Sequence, residues 1–174
     1  MKSKKQMFGG HVLIEKYSIK DGICVHHTDD RAHLKISDFL KSNNLDKCLI
    51  LCIGTDRFIG DSLGPLTGTL LSKLSLPVPI LGTLDNPIHA VNLRKVMSHI
   101  KISYKDHKII AIDACLGASK SVGYVHVKEG SIQPGKGVGK RLSHVGDFSI
   151  IGVVDEAVES GDSEYENYLK ISNV

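Results

Sequence analysis

The stretch that decides the fold runs from Cys48 to Pro65 and reads CLILCIGTDRFIGDSLGP. Its first six residues are apolar, which is typical of a strand buried on both faces of a parallel sheet. A turn rich in glycine and aspartate follows, and Pro65 suits the first turn of a helix. The stretch therefore predicts a strand, a loop and a helix, with Asp61 in the loop beyond the carboxyl end of the strand. Ligands and catalytic groups gather at that end in open α/β sheets.

The same alternation continues on both sides of this stretch. Upstream, residues 29–41 carry apolar side chains at helical spacing, with acidic residues at the start. Downstream, five leucines between Leu63 and Leu74 form the stripe expected of a helix packed on a sheet. A strand, a helix and another strand are predicted next, at 77–83, 89–100 and 108–113. This order predicts an α/β fold of three layers, in which helices cover both faces of a mostly parallel, twisted sheet.

The pattern changes near residue 121. Residues 122–127 and 131–133 read as two strands joined by a turn at Glu129-Gly130, which predicts a hairpin and an antiparallel edge of the sheet. Such edge strands offer a route to a homo-oligomer. A last core strand is predicted at 148–154, and an acidic closing helix from Asp155 to Ile171. We interpret residues 1–174 as a single α/β domain, and we expect residues 1–10 to be flexible.

Length and composition exclude several classes of protein. A chain of 174 residues with a net charge of +3 fits one globular domain without a concentrated basic face, so we expect no direct nucleic-acid partner. No apolar run approaches the roughly 18 residues of a membrane span, and no apolar region follows the basic start. We therefore expect a cytoplasmic protein without a membrane partner. Buried, reduced thiols are expected at Cys48, Cys52 and Cys115, since the cysteine spacing does not suit structural zinc.

Two aspartates follow apolar strands at equivalent places. Asp61 lies beyond the strand at 48–53, and Asp113 ends the strand at 108–113. Neighbouring parallel strands would bring both carboxylates to the same edge of the sheet. Two close carboxyl groups can share one proton, so that one acts as a base toward water and the other as an acid, or they can hold a divalent metal together. We therefore take Asp61 and Asp113 as the catalytic candidates.

The residues around Asp61 also allow two other interpretations. An aspartate just before a helix is a common N-cap, where it accepts a backbone N–H. In addition, Gly60-Asp-Ser-Leu63 matches the opening block of GDSL-type serine hydrolases, in which Ser62 would be the nucleophile. Those enzymes need an Asp-x-x-His near the carboxyl end, which this chain lacks, and a serine without a base is inert. The sequence therefore favours a helix-start role for Ser62.

A glycine-rich basic segment at 134–141 is a candidate for binding substrate. It does not match a phosphate-binding P-loop, because Arg141 stands where that motif needs serine or threonine. Its cations Lys136, Lys140 and Arg141 could bind a carboxylate or phosphate group of a substrate, and the alternative is a solvated turn without a binding role.

Four more polar residues are candidates in predicted loops. Asp56 and Arg57 lie in the first loop, where they would pair with each other or line the site. His89 precedes a predicted helix and is a candidate for binding substrate. No cofactor is predicted, but a divalent metal held by the two aspartates would find a third ligand in His144. A structural role at a loop or helix end is the alternative for both histidines.

Four ordered blocks resemble the YyaC-type sporulation proteins of endospore-forming bacteria. They are GTDRFIGDSLGP at 54–65, GTLDNPIHAVN at 82–92, IDACLG at 112–117 and PGKGVG at 134–139. These proteins are relatives of the germination protease that degrades small acid-soluble spore proteins. The fold implied by the resemblance is that of the hydrogenase maturation endopeptidases, in which a twisted sheet lies between helices.

The resemblance implies an aspartate-dependent endopeptidase acting on spore proteins, located in the forespore or spore interior. The two aspartates taken as catalytic in the germination protease correspond here to Asp61 and Asp113. In hydrogenase maturation peptidases the same places are metal-binding acids joined by a histidine, which His144 resembles. This chain is shorter than the germination protease and lacks its propeptide. The alternatives are a non-catalytic binding protein of the same fold and a metal-dependent peptidase.

Overall fold

The computed structural model describes residues 22–134 and 143–157. The strands are β1 (Gly22–His26), β2 (Cys48–Cys52), β3 (Ile80–Leu81), β4 (Lys108–Gly117), β5 (Tyr124–Glu129) and β6 (Phe148–Glu156). The α-helices are α1 (Ala32–Ser42), α2 (Leu63–Ser72) and α3 (Leu93–Ser103), and short 3₁₀ turns occupy Ile59–Asp61 and Ser119–Ser121. Within residues 22–134 and 143–157, no helix is long and apolar enough to cross a membrane.

The six strands form one sheet in the order β1-β5-β6-β4-β2-β3. The ladders β2–β3, β2–β4 and β4–β6 are parallel, whereas β5 pairs antiparallel with both β1 and β6. The predicted α/β fold with a mostly parallel sheet and antiparallel pairing toward one edge is therefore confirmed.

Helices pack on both faces of this sheet. One face carries α3, whose Leu93 and Ile100 share a core with Leu49, Leu51 and Ala111. The opposite face carries α1 and α2, which enclose a space floored by residues of β2, β4 and β6, among them Ile50, Ile110 and Ile150. Strand residues alternate between these two cores because successive side chains point to opposite faces. The predicted three layers of helix, sheet and helix are therefore present.

The sheet differs from the sequence prediction at its antiparallel end. The pattern did not predict β1, which pairs along the outer side of β5. The predicted edge strand at 122–127 is therefore an interior strand, and β1 and β3 are the edges. The second arm of the predicted hairpin is only an isolated bridge, in which Ile132 pairs with Val145. The expectation that 122–133 forms an exposed edge for self-association is wrong.

Several element boundaries also differ. The strand predicted at 77–83 is reduced to Ile80–Leu81, and the helix predicted from His89 begins at Leu93. The last strand continues to Glu156, so Asp155 lies in β6 rather than in a closing helix. The remainder of that predicted helix, and residues 1–10, lie outside the described residues.

Small residues make the closest approach of α2 to the sheet, and of its leucines Leu63 reaches Gly152 of β6. Gly64, Pro65 and Gly68 are the buried residues of α2, whereas Leu66 and Leu70 are 45% and 61% exposed. A side chain at Gly64 would collide with the Ile53 carbonyl, because the helix backbone approaches the end of β2 so closely. The prediction that all five leucines pack on the sheet is therefore wrong.

Replacing Gly68 with alanine is expected to destabilise the protein. The added Cβ would collide with the Gly82 carbonyl oxygen. Gly82 itself has a positive φ of 89°, a conformation that favours glycine. Alanine gains about 1 kcal/mol of helix propensity, but overpacking typically costs about 1–3 kcal/mol. Since a backbone atom is in the way, we expect the free energy of unfolding in urea to fall. Leu70→Ala, on the exposed side of α2, is the control, with a change within about 0.5 kcal/mol. A free energy of unfolding for Gly68→Ala equal to that of the wild type would contradict the close approach of α2 to Gly82.

Candidate active site

Asp61 lies in the loop after β2, and Asp113 lies within the neighbouring parallel strand β4. The prediction that this strand ends at Asp113 is wrong, because the pairing of β4 with β6 continues to Gly117. In the register of β2 and β4, Cys52 lies opposite Ile112, and the Ile53 N–H donates to the Ile112 carbonyl at 2.8 Å. The chain therefore leaves β2 beside Asp113. This placement agrees with the prediction that both acids belong to the same edge of the sheet.

The loop after β2 folds back and brings Asp61 next to the start of the loop. The Thr55 N–H donates to the Asp61 carbonyl at 3.0 Å, and the Asp61 N–H donates to the Phe58 carbonyl at 3.0 Å. Gly54 permits this return, since its φ is +139° and a Cβ there would collide with the Asp61 carbonyl. Asp61 is thus held at the end of β2, although seven residues separate it from Ile53.

Burial raises the pKa of the Asp61 carboxyl to about 6, from an ordinary value of 3.8. The desolvation penalises the charged carboxylate. A hydrogen bond from the Thr55 backbone favours the charged form and lowers the pKa in part. Asp61 therefore changes its charge close to neutral pH.

Burial, and secondly the negative charge of Asp61, raise the pKa of Asp113 to about 8. The Ala114 N–H donates to Asp113 Oδ1 at 2.9 Å and opposes this shift. The charge of Asp61 is among the causes of the raised pKa of Asp113, so the two carboxyl groups are electrostatically coupled. At neutral pH the favoured state of the pair has Asp61 ionised and Asp113 protonated.

Cys115 also belongs to this site. Its position was not predicted, because the sequence indicated only a buried core thiol. It follows Asp113 by two residues on β4, so both side chains point to the same face. Burial and the charge of Asp113 raise the pKa of the Cys115 thiol to about 11, so the thiol stays protonated. The β4–β6 register shifts between Cys115 and Leu116, an irregularity of the kind that often adjoins active sites. The two-residue spacing from Asp113 was the signal that could have located it.

The other interpretations of the Gly-Asp-Ser-Leu block find little support in the local geometry. Ser62, not Asp61, occupies the N-cap of α2, and no side chain caps that helix. The Ser62 hydroxyl donates to the Ile59 carbonyl at 2.7 Å. The Ser62 hydroxyl therefore donates to the backbone, whereas a serine nucleophile needs to donate to a base such as histidine. The helix-start position predicted for Ser62 is confirmed.

Asp56, Arg57 and His89 lie in two loops that are joined at the same end of the sheet. The Gly54 N–H donates to the Ile88 carbonyl at 2.8 Å, which ties the first loop to the residue before His89. Asp56 and Arg57 are exposed, and the ion pair found between described residues joins Lys35 and Asp29 instead. His89 Nδ1 accepts the Val91 N–H at 3.3 Å, so one ring nitrogen supports the turn before α3. The structure thus places these three residues around the aspartates without direct contact to them.

His144 does not join the aspartates. It is exposed, and its Nδ1 lies 3.2 Å from Ser131 Oγ. Within 22–134 and 143–157, no group of three or more His, Cys, Asp or Glu side chains could hold a metal ion. The two carboxyl groups could contribute oxygen ligands, but the expected third ligand lies elsewhere. The structure therefore does not support the predicted metal set of Asp61, Asp113 and His144.

The described residues that flank the basic segment lie on the same face of the sheet as Asp113. Ile132 and Val145, which flank it, share the core of Ala111, and Ala111 precedes Asp113 by two residues. The cations Lys136, Lys140 and Arg141 themselves lie outside the described residues. Their predicted role in substrate binding stays a prediction.

Fold and site together define a three-layer α/β protein with a coupled pair of carboxyl groups where the central strand β2 ends beside β4. A family model described as "Protein of unknown function (DUF1256)" matches residues 24–172, and the chain belongs to that family. It is 40% identical, over 171 residues, to the "Uncharacterized protein YyaC" of Bacillus subtilis (strain 168). This match covers 95% of the chain and 78% of the relative. No solved structure matched significantly.

The predicted resemblance to YyaC-type proteins is therefore confirmed. The relationship to the germination protease and to hydrogenase maturation endopeptidases stays a prediction.

Proposed function

We propose that this protein is an aspartate-dependent endopeptidase that acts on spore proteins during sporulation or germination. The observation that carries the proposal is the coupled pair of Asp61 and Asp113, with pKa values raised to about 6 and about 8. Pairs of carboxyl groups with separated pKa values supply a base and an acid from one site. The resemblance to relatives of the germination protease supports the choice of a peptide as substrate.

In the proposed mechanism, ionised Asp61 removes a proton from a water molecule that attacks the scissile carbonyl carbon. Protonated Asp113 donates a hydrogen bond to the carbonyl oxygen and then transfers its proton to the departing amine. The water proton stays on Asp61, and its transfer from Asp61 to Asp113, directly or through solvent, restores the starting state. The Cys115 thiol stays protonated beside the pair and takes no covalent part.

The proposed substrate is a polypeptide with an acidic segment near the scissile bond. Lys136, Lys140 and Arg141 would bind that segment, and the exposed Asp56 and Arg57 would line the site. Cleavage sites in the germination protease family are acidic, which is consistent with a basic binding loop. The proposed location is the forespore or spore interior.

The experiment that tests the proposal is incubation of the full chain with small acid-soluble spore proteins at neutral pH, followed by mass spectrometry of the products. We expect cleavage at a small number of acidic sites. A parallel sample with a chelator examines the metal-dependent alternative, because two carboxyl groups can hold a divalent cation. Binding without cleavage would contradict the peptidase and favour a binding protein of the same fold.

The rate of cleavage is expected to follow a bell-shaped pH profile. The value of kcat/KM should rise as Asp61 ionises near pH 6 and fall as Asp113 loses its proton near pH 8. Because the two groups interact, the measured limbs belong to the pair rather than to either residue alone. Initial rates on a peptide substrate from pH 4 to pH 10, with enzyme stability checked at each pH, measure this profile. A flat profile through neutral pH would contradict the assigned roles.

A further inference from the structure

The exposed side of α3 carries a concentration of positive charge. Residues 86–105 contain no aspartate or glutamate, whereas they contain four exposed cations, Arg94, Lys95, Lys101 and Lys105. We refer to these four residues as the α3 cations. Their summed charge exceeds the net charge of +3 of the whole chain. Within residues 22–134 and 143–157, the ion pair found joins Lys35 and Asp29, so no described carboxylate neutralises an α3 cation.

Two of the α3 cations lie where positive charge is unfavourable for the helix itself. Because α3 begins at Leu93, Arg94 and Lys95 are its second and third residues. The free N–H groups of the first turn are already a centre of positive charge, and acidic side chains are preferred there. The first turn of α3 has no acidic residue, and no side chain caps it. Local preferences of this kind are typically violated where function requires it.

The cations are arranged in rows along the helix. Arg94, Ser98 and Lys101 follow each other at spacings of four and three residues, so they share one side of α3. Lys95 and Ile102 belong to the adjacent row. From Arg94 to Lys101 the helix rises about 10 Å, a length that about three residues of extended polypeptide cover. The spacing therefore suits a short extended segment that carries more than one anion.

Apolar side chains project from the same part of the chain. Val91 and Ile102 are 76% and 80% exposed, the two highest values among the large apolar side chains of the described ranges. The Tyr104 ring is half-buried and packs edge-to-face against His99 and His107, at 6.4 Å and 5.3 Å between centroids. It therefore offers no open platform on which a nucleic-acid base could stack. Cations beside exposed aliphatic side chains suit a polypeptide with both acidic and apolar residues.

The start of α3 lies next to the loop that holds Asp61. The Leu93 N–H donates to the His89 carbonyl at 2.9 Å, and the preceding carbonyl, that of Ile88, accepts the Gly54 N–H at 2.8 Å. Gly54 begins the loop that returns to Asp61. The first α3 cations are thus at the end of the helix nearest the aspartates, and the later ones lead away from it.

We propose that the exposed side of α3 binds an acidic segment of a polypeptide substrate at a distance from the scissile bond. Carboxylates of the substrate would pair with the α3 cations, and its apolar side chains would contact Val91 and Ile102. The identity of this polypeptide as a substrate rests on the proposed peptidase function, whereas the binding itself requires neither Asp61 nor Asp113. Contacts remote from the reacting atoms act mainly on substrate binding.

Fluorescence anisotropy of a labelled peptide of glutamate and leucine tests the binding, with Asp113→Asn in the full chain to prevent cleavage. Adding Arg94→Gln together with Lys101→Gln should raise Kd at least about tenfold. The matched control is Lys41→Gln with Lys73→Gln, which removes two exposed charges on the opposite face of the sheet and should change Kd by less than about twofold. Raising the salt from about 50 mM to about 500 mM should weaken binding through screening.

Three results would overturn the proposal. They are an unchanged Kd in the Arg94 and Lys101 double variant, equal binding of a peptide with glutamine in place of glutamate, and tighter binding of single-stranded DNA of the same charge. Urea unfolding separates lost binding from lost structure, because removing a cation from the start of a helix should not lower its stability.

A photo-crosslinking residue in place of Ser98 identifies what lies between Arg94 and Lys101. A crosslink to the labelled peptide supports the proposal. A crosslink within the chain to residues 158–174 that the peptide does not displace overturns it.

Kinetics on the active protein separate this proposal from the peptidase itself. With a long acidic substrate, the Arg94 and Lys101 double variant should raise KM while kcat stays near the wild-type value. A protein that binds the acidic peptide through α3 but cleaves nothing contradicts the peptidase and leaves the α3 surface standing. Cleavage with a KM that does not respond to the double variant contradicts the α3 surface alone.

Discussion

Replacing Asp113 with asparagine is expected to lower kcat/KM for peptide cleavage by about 10³-fold or more. The amide cannot donate an acidic proton to the leaving amine, and general acid catalysis contributes about 10²–10⁴-fold. Asparagine has the same shape as aspartic acid and can still accept the Ala114 N–H that now bonds to Oδ1. The variant therefore removes the chemistry while retaining the local packing.

Asp61→Asn is expected to cause a similar loss, because it removes the base. Residues that act as one unit are not additive, so the double variant should be scarcely slower than either single variant. Asp38→Asn serves as the control for the substitution itself, since Asp38 is exposed on α1. Rates of either single variant within threefold of the wild type would exclude the acid and base roles.

The same Asp113→Asn substitution is expected to stabilise the folded protein at alkaline pH. The pKa of Asp113 is raised to about 8 in the folded state, above the ordinary value of 3.8. The folded state therefore binds the proton more tightly than the unfolded state does. Stability linked to this proton is fully present below about pH 4 and is lost as the pH rises to about 8. Asparagine cannot ionise, so the variant avoids this loss.

Urea unfolding at pH 4 and at pH 8.5 measures the effect. At the higher pH we expect Asp113→Asn to exceed the wild type by at least about 2 kcal/mol, which corresponds to a Tm higher by about 4–8 °C for a chain of this size. At pH 4 the difference should nearly vanish. The control Asp38→Asn should show no such pH-dependent gain. A variant no more stable than the wild type at pH 8.5 would contradict the raised pKa of Asp113.

Opposite effects of one substitution on activity and stability would identify Asp113 as a functional residue. An aspartate kept only for structure should lose stability when replaced. A buried acid kept for catalysis destabilises the fold at the pH where it ionises, and its removal relieves that cost. The two measurements together therefore separate a catalytic role from a structural one.

The central strands and the position of Asp61 beyond β2 could be predicted from the sequence, because the pattern that indicates them lies within a short stretch of the chain. An apolar run followed by a Gly-Asp turn specifies a buried strand and its end, whatever the neighbouring strands are. Asp113 could be found because it follows an apolar run, although the strand continues past it to Gly117. The nearness of the two acids followed from the parallel alternation, since consecutive strand-helix units place their carboxyl ends together.

The position of β1 could not be predicted, because strand order depends on pairing between distant parts of the chain. Gly22–His26 is short, and only Ile23 and Val25 are strongly apolar. The pairing of this strand outside β5 converts a predicted edge into an interior strand. Nothing in the composition of 122–133 distinguishes the two arrangements.

The packing of α2 shows a second limit of periodicity. Leucine spacing indicates an apolar stripe, but it does not indicate whether the sheet or another surface covers that stripe. Gly64 and Gly68 decide the orientation here, because they allow the helix to approach the carbonyls of Ile53 and Gly82. Glycine contributes no hydrophobic signal, so the pattern favoured the wrong face. In that orientation Leu66, Leu70 and Leu74 stay exposed.

The coupling between Asp61 and Asp113 can be measured without a substrate, by following the side-chain carboxyl ¹³C shifts of both residues against pH. We predict transitions near pH 6 for Asp61 and near pH 8 for Asp113. In Asp61→Asn the Asp113 transition should move to lower pH, because the neighbouring charge that raises its pKa is gone. Transitions of both residues near the ordinary value of 3.8, or an Asp113 transition unmoved by Asp61→Asn, would contradict a coupled acid and base at this site.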